Sequence, residues 1–130
     1  MVRDNGFLLD TTILIDLFRG RQDAIVLLDK LSHEGSFFIC AIVVTEIFSG
    51  VRPEELSRVE EFLEAMGYVQ IDYKTAKMAA GLYKRDFQRK GINLSISDTL
   101  IATAAVENSL ILVTKNVRHF PMEELKVIEH

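Results

Sequence analysis

The sequence predicts an α/β fold in which helices cover both faces of a central, mainly parallel sheet. Short apolar runs alternate with longer stretches of helical periodicity, starting with the run 7–9 and the helical segment directly after it. Five glycines each follow a helical stretch, where a left-handed residue often ends a helix. They are Gly20, Gly35, Gly50, Gly67 and Gly91. This alternation is typical of a three-layer α/β/α architecture, and with no repeat or linker in the chain we expect a single domain spanning 1–130.

The individual elements follow from the same patterns. Strands are predicted at 7–9, 36–40, 68–71 and 110–114, with a possible edge strand at 126–128. Helices are predicted at 11–18, 22–31, 41–49, 53–66, 73–90 and 95–108. The helix 41–49 is apolar almost all round, which predicts that it is buried.

Composition narrows the class of protein. The chain has 130 residues, 48% of them hydrophobic, which favours a globular fold with its own core. No apolar run has the length of a membrane span, and the first six residues do not resemble a signal peptide, so we expect a cytoplasmic protein without a membrane partner. Cys40 is the only cysteine, which excludes an internal disulfide and a cysteine-based structural zinc site.

The charge is unevenly distributed along the chain. The net charge of −4 argues against indiscriminate binding of nucleic acid. However, residues 53–66 are mainly acidic and residues 72–91 are mainly basic. These two helical regions are interpreted as solvated surfaces, with a polyanion-binding face as the alternative for the basic one.

Three acids and one amide occupy positions that suggest a common site. Asp10 ends the first strand, Glu46 lies within the apolar helix 41–49, and Asp98 lies at the start of the helix 95–108. Asn116 follows the strand 110–114. If the strands at 7–9, 36–40 and 110–114 are neighbours, their following loops bring these groups to one edge of the sheet.

Each of these residues has a simpler structural explanation. Asp10 and Asp98 could be helix-capping acids, and Asn116 could be a turn residue. Glu46 is harder to explain in this way, because its apolar neighbours predict burial and a buried carboxylate needs a cation. No basic residue lies near it before Arg52.

A divalent metal ion would account for acids that gather without basic partners. Oxygen ligands favour a hard cation such as Mg²⁺ or Mn²⁺ over zinc. Such an ion binds phosphate oxygens and activates water. The residues alone therefore indicate a metal-dependent phosphodiesterase.

Four motifs in this order and spacing resemble those of the PIN-domain ribonucleases, and in particular the VapC-type toxins of toxin–antitoxin pairs. The motifs are Leu9–Thr12, Val44–Ile47 followed by Gly50, Ser97–Ala102, and Leu112–Asn116 followed by His119 and Phe120. The resemblance implies an endoribonuclease whose Asp10, Glu46 and Asp98 hold Mg²⁺ or Mn²⁺. It also implies cleavage of RNA by metal-activated water, a homodimer, and inhibition by a cognate antitoxin.

The resemblance assigns further residues to the site. Thr12 and Thr114 are expected to support it by hydrogen bonding, and Asn116 stands where the family often has a fourth acid. A nuclease also needs a surface for the RNA backbone, for which the basic helix 73–90 offers Lys77, Lys84 and Arg85. His119 could approach substrate phosphates but is more often a loop residue at such a position.

Other functions remain open at this point. A haloacid-dehalogenase-like phosphatase would use Asp10 as nucleophile, but it needs a second acid where Thr12 stands. A phosphoacceptor signalling domain could use Lys115, but Asp72 is a poor phosphorylation site at the start of a basic helix. A catalytically silent PIN-like interaction module is disfavoured by the presence of all three acids.

Overall fold

The computed structural model describes residues 5–130 and contains a single five-stranded sheet. The strands are β1 (Asn5–Leu9), β2 (Gly35–Cys40), β3 (Gly67–Val69), β4 (Ile111–Thr114) and β5 (Val127–Glu129). Their order is β3-β2-β1-β4-β5, and all neighbours pair in parallel, as the alternating pattern predicts. Residues 1–4, part of the segment that was judged not to be a signal peptide, lie outside the described residues.

Helices connect the strands. They are α1 (Thr11–Phe18), α2 (Gln22–Ser32), α3 (Ala41–Gly50), α4 (Leu56–Glu64), α5 (Tyr73–Met78), α6 (Asp86–Arg89) and α7 (Ile96–Glu107). A 3₁₀ turn (Pro53–Glu55) precedes α4, and a second one (Val117–His119) follows β4. α1 packs against α2 and α3, while α5 packs against α7, which gives the three layers of an α/β/α fold. Within residues 5–130, no helix is both long and apolar enough to cross a membrane.

The predicted helix 73–90 is interrupted by a π-helical segment (Ala79–Arg85) between α5 and α6. Its backbone hydrogen bonds skip one additional residue, which changes the direction of the side chains that follow. The segment packs against α7. Hydrophobic periodicity locates such a helix but does not reveal the inserted residue.

The strand order reverses at β1, because the chain first builds β2 and β3 on one side and later β4 and β5 on the other. The pair β1–β4 is therefore the switch point at which open parallel sheets bind ligands, beyond the carboxyl ends of the strands. In this pair Leu8 lies opposite Leu112 and Leu9 opposite Val113. All four side chains are fully buried, so the switch point lies at the end of strands that are anchored in the core.

The predicted role of the five glycines is only partly correct. Gly20 and Gly91 have φ angles of 74° and 84°, as helix-ending glycines should. The other three have no positive φ: Gly35 and Gly67 begin strands, and Gly50 is the last residue of α3. A Cβ at Gly67 would lie 2.5 Å from the ring of Phe38, so glycine is needed there because of this close approach.

Candidate active site

Asp10 connects β1 to α1 at the switch point. Its backbone N–H donates to the carbonyl of Val113 at 3.0 Å, which extends the β1–β4 pairing by one residue. Its Oδ1 accepts a hydrogen bond from the N–H of Thr11 at 2.8 Å and caps α1. Asp10 is therefore an N-cap, as the simpler explanation held, but this role uses only one of its two carboxylate oxygens.

The second oxygen of Asp10 is held by two threonine hydroxyls. Oδ2 accepts a hydrogen bond from Thr114 Oγ1 at 2.7 Å and one from Thr12 Oγ1 at 3.3 Å. The same two hydroxyls accept the backbone N–H groups of Asn116 and Lys115, each at 3.0 Å. The predicted supporting residues Thr12 and Thr114 thus lie between Asp10 and the segment that leaves β4.

Asp10 is buried without a cationic partner. Its residue is 5% exposed, and within residues 5–130 no lysine, arginine or histidine nitrogen lies within 4.0 Å of its carboxylate. Burial raises the pKa of Asp10, and the charge of Asp98 raises it further, whereas the hydrogen bonds from Thr114, Thr11 and Thr12 act in the opposite direction. A buried carboxylate whose ionised form is disfavoured by its surroundings would be stabilised by a bound cation.

Asp98 lies in the first turn of α7 and is not the residue that caps this helix. Ser95 is the N-cap, and its hydroxyl accepts the backbone N–H of Asp98 at 3.0 Å. The side chain of Asp98 is 22% exposed, and its Oδ2 lies 3.5 Å from Nδ1 of His119. The negative charge of Asp98 also contributes to the raised pKa of Asp10.

Glu46 is exposed, and the prediction that it is buried was wrong. α3 buries only Val43 and Ile47, because it packs through one face on its neighbours while the other face meets solvent. The carboxylate is nevertheless oriented towards the site, since its Oε1 accepts the hydroxyl of Thr11 at 2.5 Å. The argument that Glu46 needs a cation because it is buried therefore fails. The hydrogen bond with Thr11 is the observation that still connects Glu46 to the site.

Cys40 gives a second indication that Asp10 and Glu46 lie at the same edge. Burial raises the pKa of the Cys40 thiol, and the negative charges of Asp10 and Glu46 raise it further. The thiol thus lies within the field of both acids, at the carboxyl end of β2. A buried thiol with a raised pKa is a poor nucleophile.

Asn116 lies at the rim of this region. It is exposed, and its side-chain amide makes no hydrogen bond within the described part of the chain. It lines a small cleft of about 260 Å³ together with residues of the segment after β4. These are Lys115, Val117, Arg118, His119 and Glu129.

The predicted acids meet at one edge of the sheet but do not form a complete metal site. Across residues 5–130, no three carboxylate, imidazole or thiol groups converge closely enough to hold an ion without movement. The pair that shares one region is Asp10 and Asp98, and Glu46 is held through Thr11. A hard divalent cation suits this site, because Asp10 is buried with no basic partner in residues 5–130 and the side chains around it offer oxygen atoms as ligands.

Sequence reasoning missed a second buried acid, Asp16 on α1. It is 3% exposed, and its Oδ2 accepts hydrogen bonds from Lys115 Nζ at 3.0 Å and His130 Nε2 at 2.8 Å. Burial raises the pKa of Asp16, but the hydrogen bonds and charges of its partners outweigh this effect and lower it overall. The side chain of His130 is only 2% exposed. An acid inside the apolar run 13–18 was the available signal.

The structure places the three predicted RNA-binding residues differently. Lys77 and Arg85 are exposed on the helix 73–90. The ammonium of Lys84 donates to Asn93 Oδ1 at 2.8 Å and to the carbonyl of Leu94, so it holds the loop before α7. A role of these residues in RNA binding stays a prediction.

Comparison with known proteins identifies the family. The sequence profile of the PIN domain matches residues 7–123, which is most of the chain. The chain belongs to the PIN-domain family. Ribonuclease VapC19 of Mycobacterium tuberculosis is 35% identical over 116 residues, covering 88% of this chain and 92% of the relative.

Two solved structures show the same PIN fold. VapBC2 from Rickettsia felis, bound to a DNA fragment from its promoter, superposes with a TM-score of 0.81 at 21% identity, covering 96% of this chain and 98% of the other. A toxin–antitoxin complex from Klebsiella pneumoniae superposes with a TM-score of 0.76 at 26% identity, covering 93% and 94%. The predicted resemblance and the predicted fold class are therefore confirmed.

Proposed function

We propose that this PIN-domain protein is a metal-dependent endoribonuclease and the toxin component of a type II toxin–antitoxin pair. The observation that supports this most strongly is the buried carboxylate of Asp10 at the switch point of the sheet, which has no basic partner within residues 5–130 and is influenced by the charge of Asp98. The similarity to a VapC ribonuclease across nearly the whole chain supports RNA as the substrate. The family membership makes the dehalogenase-like phosphatase the weaker alternative.

Asp10 and Asp98 would hold the metal ion, with Glu46 as the third acid. Mg²⁺ or Mn²⁺ suits this set of oxygen donors. Bound there, such an ion would act as a Lewis acid towards a phosphodiester and make water a stronger nucleophile. The neutral amide of Asn116 adds an oxygen donor at the rim but no charge.

The surrounding residues hold the acids in position for this chemistry. Thr114 and Thr12 fix the second oxygen of Asp10, so its orientation does not depend on a bound ion. Thr11 holds Glu46 beside α1 in the same way. The hydroxyls of Thr114 and Thr12 donate to the carboxylate of Asp10 and oppose the rise of its pKa that burial causes.

The partners and the location follow from the same proposal. A cognate antitoxin is supported by the similarity to a toxin–antitoxin complex. A homodimer is proposed because symmetric dimers are the commonest oligomers of such small proteins. A cytoplasmic location agrees with the single, buried, free thiol of Cys40.

The direct test incubates purified protein with a mixed-sequence RNA in Mn²⁺, in Mg²⁺ and in EDTA. We expect cleavage with either ion and none in EDTA. Asp10→Asn should be inactive, whereas Asp86→Asn, the same change at a surface acid paired with Arg89, should cleave normally. Hydrolysis of a small phosphomonoester with no cleavage of RNA would instead support the phosphatase.

A further inference from the structure

The segment after β4 collects basic side chains next to the acids of the site. Lys115, Arg118 and His119 line the same cleft of about 260 Å³ as Asn116. These three residues lie within five positions of the chain. Glu129 of β5 is the acid that lines the cleft with them.

The three basic residues differ in whether a carboxylate of the protein lies close to their side-chain nitrogens. Lys115 Nζ is bound to the buried carboxylate of Asp16 at 3.0 Å, although 45% of its side chain is exposed. Arg118 is exposed and, within residues 5–130, no carboxylate oxygen lies within 4.0 Å of its guanidinium. The uncompensated positive charge of the cleft is therefore that of Arg118.

His119 connects this cleft to the proposed metal site. Its Nδ1 lies 3.5 Å from Oδ2 of Asp98, and 58% of its side chain is exposed. His119 thus links Asp98 to the cleft, which runs along the 3₁₀ turn past Arg118. Backbone phosphates of neighbouring nucleotides follow one another along a strand, so a strand cleaved at Asp98 would bring an adjacent phosphate towards this cleft.

The cleft is also held in place before any substrate binds. The N–H of Lys115 donates to Thr12 Oγ1, and the N–H of Asn116 donates to Thr114 Oγ1. The same two hydroxyls bind Asp10. The position of the basic segment is thus fixed relative to the acids, which lowers the entropic cost of binding a substrate that contacts both.

We propose that Arg118 and His119, with Lys115 beside them, form a binding subsite for an RNA backbone phosphate adjacent to the one that is cleaved. An arginine without a carboxylate partner suits the two oxygens of a phosphodiester, to which a guanidinium donates two parallel hydrogen bonds. This proposal rests on the proposed ribonuclease function and adds the surface that holds the substrate. It differs from the predicted surface on the helix 73–90, where Lys84 is already bound within the protein.

The test compares two matched variants, Arg118→Gln and Arg85→Gln, each of which removes one exposed arginine. Affinity for a fluorescently labelled single-stranded RNA is measured in EDTA at several salt concentrations, and cleavage kinetics are measured in Mn²⁺. We expect Arg118→Gln to weaken RNA binding about tenfold and to raise KM with little change in kcat. The slope of log affinity against log salt should fall by about 0.7, the value for one phosphate contact to a single strand.

Several outcomes decide the proposal. Arg118→Lys should recover part of the affinity, because it keeps the charge and loses only the paired hydrogen bonds. If Arg118→Gln binds RNA with unchanged affinity and salt slope while the wild type cleaves RNA, the subsite is wrong and the ribonuclease function stands. A loss confined to Arg85→Gln would place the RNA on the helix 73–90 instead. If the wild type neither binds nor cleaves RNA, the proposed function itself fails.

Discussion

Two aspartates on the same helix of this protein have opposite environments. Asp10 caps α1 and Asp16 lies near its end, and both are almost completely buried, at 5% and 3% exposure. Among the described residues, the carboxylate of Asp10 meets only hydroxyl and N–H donors, and burial raises its pKa. Asp16 meets Lys115 and His130, whose hydrogen bonds outweigh the effect of burial and lower its pKa.

The difference separates an acid that is prepared for a ligand from one that stabilises the fold. The negative charge of Asp16 is balanced within the protein, and its bonds join α1 to the residue after β4 and to His130. Within residues 5–130 no basic side chain balances the charge of Asp10, although the surrounding backbone and hydroxyls hold its carboxylate in place. Removing the charge of Asp10 should therefore abolish activity and spare stability, whereas removing the charge of Asp16 should reduce stability and spare activity.

The largest expected effect is the loss of RNA cleavage in Asp10→Asn. We expect a decrease on the order of a thousandfold, because a proposed metal ligand loses its charge. Asp98→Asn should lose cleavage in the same way. Rates measured in saturating Mn²⁺ test both, and retained cleavage in the two variants would leave these residues with a purely structural role.

The same Asp10→Asn variant should be as stable as the wild type in EDTA, or slightly more stable. The folded-state pKa of Asp10 is raised above its unfolded-state value of 3.8. The stability of the wild type therefore falls as the pH rises from the unfolded-state pKa to the folded-state pKa, and above that range the ionised carboxylate opposes folding. Asparagine still accepts the N-cap hydrogen bond. The difference from wild type should vanish below about pH 3.8, where both proteins carry a neutral group. Urea unfolding at pH 7 and pH 3.5 measures it.

Asp16→Asn should do the reverse, with cleavage chemistry retained and stability reduced. We expect a loss of about 2 kcal/mol at pH 7, because His130 and Lys115 lose a buried charged acceptor. The contribution of the half-exposed Lys115 is reduced by solvent screening.

The pH dependence of Asp16→Asn follows from the lowered pKa of Asp16. The stabilisation from this carboxylate is present above pH 3.8 and is lost as pH falls through the lower folded-state pKa. The unfolding free energies of wild type and Asp16→Asn should therefore converge in acid. A constant difference across this range would show that the variant acts through packing.

A smaller effect is expected for Asn116→Asp. This change adds a full charge at the rim of the site, and we expect it to strengthen Mn²⁺ binding about tenfold. The wild type should show one appreciable Mn²⁺ site per chain without RNA, since the three acids Asp10, Asp98 and Glu46 offer charge for a single ion. Calorimetric titration counts the sites. Two comparably tight sites in the wild type would contradict this expectation.

Much of the fold and part of the site could be predicted from the sequence. Asp10 was located correctly because a carboxylate directly after an apolar strand must lie at the end of the sheet. Asp98 was located through Ser95, since a serine before a helical run marks the first turn. Both inferences use contacts that are local in the sequence.

The errors concern contacts between distant parts of the chain. Asp16 is joined to Lys115 and His130 across 99 and 114 residues, and no periodicity reports such a pair. Glu46 was expected to be buried because its helix is apolar, but the direction in which α3 faces depends on its packing against other elements. The residue that creates the π-helical segment 79–85 is likewise invisible to a periodic pattern.

The central claim, that Asp10 is prepared for a divalent cation and Asp16 is not, is tested most directly by thermal unfolding with and without Mn²⁺. An ion that binds only the folded protein at a hundred times its Kd adds about 2.7 kcal/mol of stability. We predict that saturating Mn²⁺ raises the Tm of the wild type and of Asp16→Asn by the same several degrees and leaves the Tm of Asp10→Asn unchanged. An equal rise in Asp10→Asn would contradict the account.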